Sequence, residues 1–173
     1  MLSRLFGKGS DSKEALRPLW HRMVEIAREK AWYADCGVAD TVPGRFDAIT
    51  LVMALVMLRM ERDKPDDDSL IAPSVRLTEL FVDDMDGQLR QSGVGDLVVG
   101  KRMGKLMGVL GGRIGALREG LAEDDSTLIP VLERNMTLIE NADMSALVRE
   151  VRLLNAQIDA LSNEDLLAAR ITR

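Results

Sequence analysis

A chain of 173 residues suits one domain, which at this size buries roughly 70% of the surface its unfolded form exposes. Aromatic residues make up only 3%, so the core is expected to be filled by Leu, Met, Ala and Val in helix-on-helix packing, and the formal charge of -5 speaks against general affinity for nucleic acid or anionic lipid. A single cysteine, Cys36, and a single histidine, His21, exclude an internal disulfide and a structural zinc cluster, and the chain reads as cytoplasmic.

Residues 1–11 carry Arg4 and Lys8 with only Leu2, Leu5 and Phe6 as apolar bulk, which falls short of a signal peptide and predicts a flexible leader to a helical domain over 12–173. Leu16, Leu19, Trp20, Met23, Ile26 and Ala27 recur at helical spacing and predict a first helix reaching Tyr33, with Pro18 in its first turn. Gly37, Pro43 and Gly44 mark a connection. The run from Arg45 to Arg62 is apolar on nearly all sides, as a central helix would be. Its longest apolar stretch, Ala48 to Leu58, is about half of the ~20 residues a membrane span needs, so no transmembrane segment is expected.

Asp63 to Asp68 reads as an exposed loop, after which Pro73 can open a third helix carrying Val75, Leu77, Leu80, Phe81, Met85 and Leu89 until Gly93 and Gly95 end it. A fourth helix is predicted from Val98 or Gly100 to Leu121. Within it Gly100, Gly104, Gly108 and Gly112 recur every fourth residue beside Gly111 and Gly115. Each interior glycine costs about 1 kcal/mol against alanine, and close approach of another helix is the expected compensation. Thr127 to Ile139, capped by Asp125 or Ser126, and Ser145 to Leu161 give two further amphipathic helices, and Asn163 can cap a short last one. The sum is an all-α, single-domain bundle of about six helices with the second to fourth as its central packing unit.

Two clusters mix charge with turn residues: Asp40 to Asp47, and Asp83 to Asp96. In the first, Asp40 or Thr41 can cap a helix while Arg45 and Asp47 pair. The second imitates half a calcium loop, but a loop begun at Asp84 would need glycine at Leu89 and an acid at Gly95, so no metal is expected. No nucleophile, base and orienting group stand together, and no cofactor is implied. The expected role of Asp40, Arg45, Asp47, Asp84, Asp86, Arg90, Asp96, Lys101, Arg102 and Arg113 is to contact a partner protein. Met53, Met57 and Met60 share one helical stripe, and Met103 and Met107 another; such stripes fill cores or line an adaptable apolar groove.

The sequence resembles the ubiquinol-cytochrome c chaperone family. A first signature runs through Ala27-Arg28, Trp32-Tyr33, Gly37-Val38, Asp40-Thr41 and Gly44-Arg45-Phe46-Asp47. A second runs through Phe81, Asp84-Met85-Asp86, Leu89-Arg90, Gly93-Val94-Gly95-Asp96 and Lys101-Arg102, and Leu132-Glu133-Arg134-Asn135 makes a shorter third. The resemblance is strongest over 16–121. It departs from the family pattern at Val52, where relatives often carry histidine, and at Leu110-Gly111-Gly112-Arg113, which replaces a stretch with two aromatics. The resemblance implies a non-enzymatic helical protein that binds newly made cytochrome b during assembly of the cytochrome bc1 complex, near the ribosome and peripheral at the inner face of the membrane. A competing expectation, a carrier or enzyme for an isoprenoid or haem-like molecule, rests on the bulky apolar second helix and its bordering charges.

Overall fold

The structure is a computed structural model that describes residues 12–62 and 66–173. The expectation for the leader over 1–11 and positions 63–65 of the expected exposed loop over 63–68 lie outside the described residues, while Asp66, Asp67 and Asp68 are exposed. Pro18 stands in the first turn of α1 (Arg17–Ala27), where a missing N–H removes no helical bond. The helix predicted to reach Tyr33 breaks at Arg28 and Glu29, and α2 (Lys30–Ala34) follows. The cause is local: Trp32 Nε1 donates to the Ile26 carbonyl and the Tyr33 hydroxyl to the Ala27 carbonyl, each at 2.8 Å. Each donor stands six residues ahead of its acceptor; Ile26 O also accepts from Glu29 N at 3.1 Å, the Tyr33 hydroxyl satisfies the Ala27 carbonyl at the end of α1, and the chain turns between them.

A connector over 35–41 leads to α3 (Val42–Arg62), where Thr41 Oγ1 accepts from the Gly44 N–H at 3.3 Å. Gly37 takes φ +75°, and a Cβ there would stand 2.5 Å from the Cβ of Ala142. The connector lies antiparallel to residues 136–139, with one bridge between Val38 and Leu138 and bonds from Ala39 N to Thr137 O and from Ile139 N to Gly37 O, both 2.9 Å. The helix α3 is the hub. Leu51 to Val56 are all buried, and the helix packs against α1, α4 (Ile71–Gln91), α5 (Asp96–Ala122) and α7 (Met144–Asp159). Arg59, only 3% exposed, donates to Leu161 O at 2.9 Å and Asn163 Oδ1 at 2.8 Å, which ties α3 to the turn before α8 (Asn163–Leu167).

Phe81 of α4 meets Trp20 of α1 edge-to-face, with ring centroids 6.0 Å apart. The end of α4 is a Schellman motif: Gly93 at φ +79° donates to Arg90 O and Val94 donates to Leu89 O, as the glycine signal predicts. Asp124, Asp143 and Ser162 cap α6 (Asp125–Asn135), α7 and α8. The helix α6 is thus capped by Asp124 rather than by Asp125 or Ser126, and α8 by Ser162 rather than Asn163. The result is the all-α single domain predicted from sequence, without strands among the described residues.

The glycine series of α5 overturns the packing expectation. Gly100, Gly104, Gly108, Gly111, Gly112 and Gly115 have no neighbouring heavy atom within 4 Å of the place a Cβ would take. The core-facing side chains are Val99, Met103, Leu110 and Leu117, which share the opposite side of the helix. Spacing alone put the glycines on one face; it did not say that the large residues between them would claim the interior.

Candidate docking groove

The helices leave a surface groove of about 1180 Å³ where α2, the start of α3, the last turns of α4 and the middle of α5 meet. Its floor is apolar, with Phe46 and Ile49 from α3, Met85 and Leu89 from α4, Leu106 from α5 and the ring of Tyr33 from α2. Phe46 and Ile49 are three residues apart and so share one face at the start of α3, while Met85 and Leu89 are four apart on α4. This is how helical spacing builds the two walls. Polar groups form the rim: Arg28, Lys30, Asp40 and Arg45 on one side, Gln88 and Ser92 on the other. Val42, on the lip, is 82% exposed.

A buried ion pair supports the floor. Asp47, 6% exposed, accepts from Thr137 N at 2.7 Å and Thr137 Oγ1 at 2.6 Å, and its other oxygen accepts from Arg113 of α5. Arg113 also donates to Thr50 Oγ1, and its guanidinium carbon lies 5.9 Å from the centroid of the Phe46 ring. One carboxylate thus joins α3, α5 and the segment after α6, and the arginine it holds backs a floor residue. The pairing expected between Arg45 and Asp47 does not form. Arg45 bonds Asp40 instead, at 2.7 Å on the surface, which raises the arginine's pKa through that hydrogen bond first.

The predicted site residues therefore separate. Asp40 and Arg45 stand on the rim, whereas Asp47 and Arg113 are inside the fold. Arg90 bonds Asp86 at 2.7 Å and also Asp96, closing the α4–α5 corner beside Leu89; these two carboxylates raise its pKa. Asp84 borders a second hollow of about 520 Å³ between α1 and α4, together with Trp20, His21 and Leu80. Lys101 and Arg102 are exposed on α5 and do not line either hollow.

The methionines of the two predicted stripes do not line the groove. Met53 is 0% exposed, Met60 2% and Met103 9%, all in the core, and Met57 and Met107 pack partly buried against it. A stripe on an all-apolar central helix is enclosed by neighbours on every side, so its thioethers fill gaps. Sequence reasoning missed Arg28, Lys30, Ile49 and Leu106 as lining residues and placed Met85 and Leu89 on the third helix and in the second signature without assigning them to a groove. The available signal was the first signature, which already contains Arg28, Tyr33 and Phe46. Burial raises the Tyr33 pKa, with Arg45 and Arg28 acting in the opposite sense, and burial pushes the Cys36 thiol up to about 11.

The family model for the ubiquinol-cytochrome C chaperone matches residues 34–173. The chain belongs to this family. The match begins inside the first signature and continues well beyond the 16–121 region where the sequence resemblance is strongest. The crystal structure of the Cbp3 homolog from Brucella abortus is similar to this chain with a TM-score of 0.79 and 32% identity, over 99% of this chain and 96% of that one. No curated protein sequence gives a significant match. Family membership makes the groove the feature to explain, because a chaperone needs an accessible apolar surface with polar borders.

Proposed function

We propose that this family member is a non-enzymatic assembly chaperone for the ubiquinol-cytochrome c reductase complex, and that its groove holds an apolar segment of newly made cytochrome b. The observation that carries the reading is the groove itself. Its floor joins α2, α3, α4 and α5, its apolar side chains are partly open to solvent apart from the buried Met85, and both family signatures contribute to it through Tyr33, Phe46, Met85 and Leu89. An apolar core inside a polar border is the arrangement by which proteins bind one another specifically. Among the described residues no helix is long and apolar enough to cross a membrane, which is consistent with a peripheral position at the inner face of the membrane, where a membrane-protein client would be met.

The test is to fill the groove. Leu106→Trp adds bulk at a half-buried floor position on α5 and should leave the helical content unchanged while lowering cytochrome b recovery and bc1 complex levels in cells that carry it as their sole copy. Normal complex levels with a folded Leu106→Trp protein would remove the groove from the mechanism.

A further inference from the structure

The lining of the groove is charged on one side only. Arg28, Lys30 and Arg45 stand against a single acid, Asp40, in a chain whose overall charge is -5. Asp40 is already bonded to Arg45, and across the floor the rim offers only the neutral Gln88 and Ser92. Arg28 and Lys30 are both exposed and form no salt bridge among the described residues. They sit at the break between α1 and α2, which the carbonyl bonds of Trp32 and Tyr33 hold in place. The fold therefore presents, at a fixed corner beside an apolar floor, two cations that form no salt bridge among the described residues.

We infer that the occupant of this groove is an apolar helical peptide segment carrying an acidic side chain, which it sets against Arg28 and Lys30. The inference rests on the chaperone reading and names the chemistry of the client segment. Charge complementarity at a rim selects partners and register more than it adds affinity, which suits a chaperone that must choose one apolar segment among many. A peptide fits better than an enclosed small molecule because the trough is open. Arg28 also borders the second hollow, where Trp20, Val24 and Leu80 lie beside Glu25, Asp83 and Asp84, so an acidic side chain is taken on the groove side of Arg28, next to Lys30, and not on the side of that hollow.

The test uses two synthetic amphipathic peptides of identical leucine- and alanine-rich sequence, one with a central glutamate and one with lysine at that position. Their affinity for the purified full chain is measured at low salt. The glutamate peptide should bind about tenfold more tightly, the margin should shrink at high salt, and the Arg28→Glu/Lys30→Glu variant should prefer lysine. Equal affinities that both fall in Leu106→Trp would overturn the acidic preference while leaving the groove as the client site. Failure of both peptides to bind, or their displacement by oleate at far lower concentration, would overturn the inference in favour of no peptide site or of a small amphiphile.

Discussion

Gly44 shows at single-residue scale why the first signature carries the sequence it does. A Cβ there would stand 1.9 Å from the Ala39 carbonyl oxygen, a backbone atom that the connector cannot move without breaking its pairing with Thr137. Gly44→Ala should therefore destabilise the protein by about 1 to 3 kcal/mol, read as a lower urea midpoint; an unchanged midpoint would show that the connector yields freely. Asp47 and Arg113 make the matching case for charge. Arg113→Met leaves the Asp47 carboxylate buried without its cation and should cost about 3 to 5 kcal/mol. The Asp47→Asn/Arg113→Met double variant should cost less than the sum of its singles, since the two side chains act as one unit. Additive losses would mean that each residue acts alone. The sequence displayed both residues as polar, conspicuous and near apolar helices, and they were legible as important. Their partners were not, because 66 positions separate them and helical spacing says nothing about which distant helix comes alongside.

At the scale of the element, the long apolar patterns translated into helices because each one follows the 3.6-residue period between turn residues. The α1–α2 break escaped that logic. Alanine, lysine and tryptophan continue the helical pattern without a glycine or proline to stop it, and only the captured carbonyls of Ile26 and Ala27 explain the turn. The open face of α5 escaped it for another reason, since the same spacing of glycines serves a buried seam or a bare ridge. The bare ridge has a measurable consequence. With nothing near the missing side chains, Gly104→Ala and Gly108→Ala should each stabilise the protein by about 0.5 to 1 kcal/mol, through restored helix propensity and a less flexible unfolded chain. Destabilisation in thermal melts would bring the close-packed seam back.

At the scale of the whole molecule, the groove is a product of assembly: its lining comes from the end of α1, the connector and α2 through α5, and no single segment of sequence contains it. The apolar character of α3 was plain, but which of its sides stayed open depended on where α4 and α5 came to rest, and the choice fell on Phe46 and Ile49 rather than on the methionine stripe. The signatures pointed to the region; packing selected the surface. The most direct measurement is site-specific photo-crosslinking in cells, with the probe placed at Ile49 or Leu89 in the groove and, as the control, at Gly108 on the open ridge of α5. Adducts with cytochrome b from the two groove positions, absent from the ridge position, are the expected result. Adducts from the ridge and none from the groove would contradict the assignment and move client binding to the glycine face.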